Sequence, residues 1–354
     1  MASQAEADWS GGAAGSQSGT GWTFVLRVFA WYVAGAALVF LINNYLIFWR
    51  DWPGLATFFA YQGWLGSEGA GGGMDPSLAP LGWLQTLSYP AVILLAAIHV
   101  SRSKHEGLRP DSERLTALAA FIARAAFWSV LLVGLADMVL SFLRVEGLME
   151  GILGANLTTE MGRSQFRGSY VHFPLIGLSL VIAFFVRGIG VAWLAMLVVI
   201  AELQIVVLRF IFSYEQAFMG DLVRFWYAAL FLFASANTLI LDGHVRVDVL
   251  FTRFSPKRKG TINALGALFL GIPLCVVILT RGMWAKTNII NSPLLSFEVS
   301  QSGFGMYTKY LMAGFLAIFA LTMIIQFASY FLAGLADRRD EPGRREAESH
   351  DLGH

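Results

Sequence analysis

Eight long apolar runs govern what this chain can become. A membrane span needs roughly 20 mostly apolar residues. Runs of that kind lie at 22–49, 82–101, 115–143, 171–187, 190–212, 222–241, 261–285 and 308–335. Composition agrees with them. Hydrophobic residues make up 56% of the 354 residues and charged residues only 14%, where a soluble domain carries about 25% charged. The fold class expected is an all-α membrane protein, a bundle of about eight transmembrane helices. A net charge of +1 gives no basic field for nucleic acid.

The stretch 171–212 decides the topology. It is interrupted only by Arg187-Gly188-Ile189-Gly190, so it reads either as one long helix or as two spans joined by a tight turn. Lys and Arg collect in cytoplasmic loops. Loop 102–114 holds Arg102, Lys104, Arg109 and Arg114. Loop 242–260 holds Arg246, Arg253, Lys257, Arg258 and Lys259, and the tail holds Arg338, Arg339, Arg344 and Arg345. Only two spans put all three groups on one side. Eight helices with both termini cytoplasmic follow.

The ends divide off by composition. Residues 1–20 are small and polar and read as a disordered cytoplasmic tail. The apolar segment that follows exceeds the roughly 7–15 residues of a signal-peptide core, so it stays as a span. Residues 21–188 form an N-terminal four-helix membrane extension, 189–336 a four-helix core, and 337–354 a charged cytoplasmic tail. Cys275, the single cysteine, sits in an apolar run and reads as buried and inert.

Polar residues inside spans are functional candidates by default. Asn43, Asn44, Arg124 and Asp137 are scattered and read as helix–helix hydrogen bonds. Glu202 lies two turns before Arg209 on about the same face of one span. Both are candidates for structural or partner contact. Ser213 and Gln216 have capping-box spacing for a short helix before 222. His244, Arg246 and Asp248 alternate with Val245, Val247 and Val249, the period of an extended segment with one polar face, and are candidates for a local polar lock or a partner contact. Asp248 is placed to cap a short helix over 249–254. That helix would lie in the interface, with Lys257, Arg258 and Lys259 meeting phospholipid headgroups. In loop 286–307, Leu294, Leu295 and Phe297 stand beside Glu298, the mixture used by transient protein contacts, which makes them docking candidates; the other reading is that the three apolar residues dip into the lipid interface or cap the bundle.

The stretch Arg209-Phe210-Ile211-Phe212, followed after one span by Gly243-His244-Val245-Arg246-Val247-Asp248 and by Ser255-Pro256 with its basic cluster, resembles a known family. It is similar to the small membrane subunit, the DctQ-like or Q subunit, of tripartite ATP-independent periplasmic (TRAP) transporters. The resemblance covers about 190–335. It implies a non-catalytic scaffold subunit in a bacterial inner membrane, with no cofactor. It also implies two partners: a large, DctM-like membrane subunit that carries the substrate and Na⁺ sites and moves as an elevator, and a periplasmic substrate-binding protein. The imported solute would be an organic anion such as a carboxylate. A minimal Q subunit has four spans, so residues 21–188 are a departure from the family.

Two other classes stay in view. A membrane subunit of an electron-transfer enzyme needs His residues facing one another across a bundle. Of His99, His105, His172, His244, His350 and His354, only His99 and His172 lie near spans, and the topology sets them at opposite ends. An autonomous small transporter or channel needs polar groups converging at mid-membrane, with discontinuous helices. No such set is evident, and no Walker A, GxSxG or HExxH motif is present.

Overall fold

The computed structural model describes residues 21–64, 73–187, 191–214, 216–240, 251–300 and 304–343. Among them are eight helical segments long and apolar enough to cross a membrane. The first is α1 (Gly21–Arg50), followed by the short α2 (Gly54–Tyr61) and by α3 (Ala79–Arg102). The long α4 (Leu108–Val145) leads into three small helices, α5 (Met149–Leu153), α6 (Ala155–Met161) and α7 (Ser164–Arg167). A π turn at Gly168–His172 joins α7 to α8 (Phe173–Phe185). Then come α9 (Val191–Ile211), α10 (Ala217–Ile240) and α11 (Pro256–Gly266). A second π turn, Ala267–Gly271, joins α11 to α12 (Ile272–Met283). The short α13 (Asn291–Ser296) and the long α14 (Lys309–Arg338) complete the order.

Helix ends Phe185 and Val191 confirm two spans where one apolar stretch was ambiguous. The π turns share one cause. Pro174 and Pro273 stand two residues after them. Proline has no N–H to give, and its ring clashes with the carbonyl four residues back; a locally widened turn relieves that clash. Near Ser213 the expectation fails. Ser213 has φ +50°, in the left-handed region, so it ends α9's turn instead of capping a helix, and α10 runs unbroken from Ala217.

α14 is the central helix. It packs on α1, α4, α10, α11, α12 and α13. Its contact with α1 is a stripe of small residues, Ala30, Ala34 and Ala37, within the same buried cluster as Ala317, Ala320, Leu321 and Ile324. Lipid tails are as apolar as leucine, so membrane helices associate through close packing, which small residues permit. α11 and α14 approach backbone to backbone: a Cβ on Gly334 would stand 2.5 Å from the Gly260 carbonyl oxygen.

Packing runs across the 188/189 boundary. α4, from the extension, lies against α8, α10 and α14. Its 38 residues span about 57 Å at 1.5 Å per residue, well beyond the roughly 30 Å hydrocarbon core. Both ends therefore reach polar surroundings. Arg339 Nη1 donates to Thr23 Oγ1 at 2.6 Å, so the two ends of the described chain meet at one face of the bundle, called here the near end. The opposite face, where α4 finishes and α14 begins, is the far end.

Candidate functional site

The polar chemistry of this molecule gathers at the two ends of α4. At the near end Arg27, inside the first apolar run, is 1% exposed. Its Nε donates to Asp111 Oδ2 at 2.6 Å. Nη1 donates to the Ser103 and Glu106 carbonyls at 2.8 and 3.0 Å, and Nη2 donates to Ser103 Oγ at 2.6 Å. One guanidinium thus holds the α3–α4 turn against α1. The planar fork supplies donors in fixed directions, which a lysine could not. Asp111 also accepts from Arg114 Nη1 at 3.0 Å. In the turn itself, the hydrogen bond from Arg114 holds the Glu106 carboxyl below the usual carboxylate range. The start of α4 is closed from the C-terminal side. Glu341 Oε2 accepts from the Leu108 and Arg109 N–H groups at 2.9 and 3.2 Å, satisfying donors that a helix start leaves free. Arg109 Nη2 reaches Asp337 at 2.7 Å.

At the far end Asp137, Arg167 and His172 are each 0% exposed. Asp137 Oδ1 accepts from Arg167 Nη1 at 2.9 Å and lies 3.2 Å from His172 Nε2. Asp137 Oδ2 accepts from the Tyr307 N–H at 2.7 Å. His172 Nδ1 lies 2.8 Å from the Tyr310 hydroxyl. A carboxylate acceptor assigns the Nε2 proton, which leaves Nδ1 to accept from Tyr310 when the ring is neutral. The Tyr307 ring is flanked by two guanidinium groups, Arg167 at 4.2 Å and Arg144 at 4.6 Å from its centroid, the arrangement of a cation–π contact. Arg144 Nη2 donates to the Gly305 carbonyl at 2.7 Å. The carboxylate is neutralised, hydrogen-bonded and out of reach of solvent. Such an arrangement holds elements together, and here it fastens α4 and 161–172 to the loop before α14.

Between these clamps α4 and α14 share hydroxyls. Ser329 Oγ lies 2.9 Å from Ser112 Oγ and 2.7 Å from Thr116 Oγ1. Asn43 Nδ2 donates to Ser88 Oγ at 3.2 Å, and Asn44 Nδ2 to the Met283 carbonyl at 2.6 Å. Asn43, Asn44 and Asp137 therefore make the interhelical bonds expected of them. Arg124 Nε has no hydrogen-bond partner among the described residues. A cavity of about 390 Å³ opens between α1, α4, α8 and α14, and the only polar side chains among the residues lining it are Asn44, Tyr45, Trp49, Ser129, Ser179 and Asn291.

The residues singled out in the sequence fare differently. His244, Arg246 and Asp248 lie outside the described residues, as do the first two residues of the helix anticipated over 249–254; of the rest, Phe251–Arg253 is a 3₁₀ turn. Glu202 and Arg209 are both exposed on α9. Leu294 packs against the α14 core cluster. Leu295 is half-buried. Phe297, with φ +49°, turns inward: it is buried against Trp49, Phe173 and Tyr310. A Cβ on Gly168 would strike its ring, so that glycine makes the seat. Glu298 is half-buried and paired with Lys309 Nζ at 2.6 Å. Of the four docking candidates, Leu295 and Glu298 remain available at the surface. Neither Arg27 nor Arg167 was singled out from the sequence. The signal was present: each stands within or beside an apolar run with an acidic residue available to pair.

The histidines stay apart. His99 lies at the near end, its Nε2 3.7 Å from Asp111 and its ring against Trp31. His172 lies at the far end with both ring nitrogens engaged. His172 has no free nitrogen to offer to a group shared with His99.

No curated protein and no solved structure matches the chain significantly. Residues 195–336 match the family model for the DctQ component of tripartite ATP-independent periplasmic transporters. The match starts within α9 and ends within α14, so it spans the last four membrane helices. The C-terminal four spans are therefore similar to the DctQ component of TRAP transporters, and four more membrane helices stand ahead of them.

Proposed function

We propose that this chain is the non-catalytic scaffold subunit of an ion-gradient-driven TRAP transporter in a bacterial inner membrane. Its partner is a large, DctM-like permease subunit that carries the solute and the coupling ion, most simply Na⁺, and moves as an elevator. The solute is an organic anion such as a carboxylate, delivered by a periplasmic binding protein. Both termini, and with them the near end, face the cytoplasm. Leu295 and Glu298 at the far end then face the periplasm, where the binding protein docks.

The family match over residues 195–336 carries this reading. The packing supports it. α4 is clamped to its neighbours at both ends by buried ion pairs, as suits a part that stays still while another moves. Among the described residues, the cavity between α1, α4, α8 and α14 is lined by no charged side chain. The electron-transfer reading has no comparable support, since the two histidines near spans are held at opposite ends by their own partners.

Affinity purification of the tagged chain from its native membrane tests the assignment. A membrane protein of twelve or more spans should accompany it in a fixed ratio, and the spectrum should show no haem absorption. Recovery of the chain alone, or with a redox subunit, would reject the scaffold role.

A further inference from the structure

Helix α9 is the least enclosed span of the bundle. It packs chiefly on α10, through Leu194, Leu197, Ala201 and Ile205. Val199, Leu203, Val206 and Phe210 cover the opposite side and are exposed. Glu202 sits on the flank of that exposed side. It is nine residues from the end of the helix at Ile211 and eleven from its start, or about 14–17 Å from either end at 1.5 Å per residue. That places it at mid-membrane.

Its carboxylate has no hydrogen-bond or ion-pair partner among the described residues, and the side chain is exposed. Arg209 lies on the same flank, but about 10 Å further along the axis, beyond contact distance. Ionisable groups within spans almost always face a bundle interior and pair there, because the hydrocarbon offers no solvation. Asp137, Asp111 and Arg27 obey this inside the chain. Glu202 does not, and its side chain is too short to reach the headgroups from that depth. The side of α9 that is outside in this chain is therefore inside in the assembly.

We propose that the outer face of α9 is the docking surface for a transmembrane helix of the larger membrane subunit, and that this helix presents a cationic or amide hydrogen-bond donor to Glu202. The inference rests on the scaffold reading above. Charge complementarity selects the occupant. A second copy of this chain, related by a two-fold axis along the membrane normal through this face, would bring Glu202 towards Glu202 at the same depth, and like charges repel. A soluble partner cannot reach mid-membrane.

Photocrosslinking tests this in cells carrying the whole transporter. A photoreactive aromatic residue is placed at Val199 or Val206, and at Leu197, which faces α10, as a control. Adducts with the large subunit should form from Val199 and Val206 and not from Leu197. Their yield should fall about tenfold in Glu202→Leu and less in Glu202→Gln, which keeps a hydrogen-bonding group. The crosslinks in the otherwise unaltered chain need no change at Glu202, so a folding defect in the Leu variant leaves them decisive. If the large subunit co-purifies but the adducts hold only lipid or a second copy, the α9 assignment fails and the scaffold role stands. If no large subunit co-purifies, both fail.

Discussion

Asp137→Leu should destabilise the bundle by about 3–5 kcal/mol, the range for removing one partner of a buried ion pair. The substitution leaves the fully buried Arg167 guanidinium without its counter-charge and removes the acceptors of His172 and the Tyr307 N–H. Asp137→Asn keeps one carbonyl acceptor and should cost less. The double variant Asp137→Leu/Arg167→Leu should recover part of the loss, because an apolar pair can replace a buried ion pair at little cost. Thermal unfolding in detergent, with the single and double variants in one cycle, measures all three. A double variant as unstable as the sum of the singles would mean that the two residues do not act as a pair.

Arg27→Leu should cost about 3 kcal/mol, from the loss of several charge-assisted bonds at one buried group. Asp111 keeps Arg114, so the penalty stays below that of an isolated carboxylate. The damage should be local. With the Ser103 and Glu106 carbonyls and Ser103 Oγ released, the α3–α4 turn should open and become cleavable by protease several-fold faster, while the far end keeps its protection. Lysine should not restore it, having no fork to reach four acceptors. Equal cleavage of the Arg27→Leu chain and the unaltered chain would show that the turn is held by something else.

The spans were legible in the sequence because a bilayer imposes a length and a polarity on every helix that crosses it. The break after Phe185 was legible because Arg and Gly residues interrupt an otherwise continuous apolar stretch. The clamps were not. Arg27 meets Asp111 across 84 residues, and Arg167 meets Asp137 across 30, so neither pair has a local pattern. A charge inside an apolar run signals a missing partner without naming it. Phe297 stayed open between docking and capping the bundle for a related reason: nothing local in the sequence shows that a left-handed turn and Gly168 set it into an aromatic cluster. Pro174 and Pro273 mark where the ladder is disturbed, but Pro90 sits within α3 without a π turn, so proline position alone does not predict one. The depth of α4 within the bundle had no sequence signal beyond its unusual length.

The four helices ahead of the DctQ-like segment pack together with it. α4 contributes to the same buried clusters as α10 and α14, and the two end clamps tie extension and family segment into one body. The role proposed for this chain is that of a larger rigid wall beside a moving subunit. Reconstitution in proteoliposomes tests it most directly. The purified chain alone should give no ion-driven uptake of solute. Uptake should appear when the large subunit and the binding protein are added, and should fall when this chain is left out. Uptake by this chain alone, driven by an ion gradient, would contradict the account.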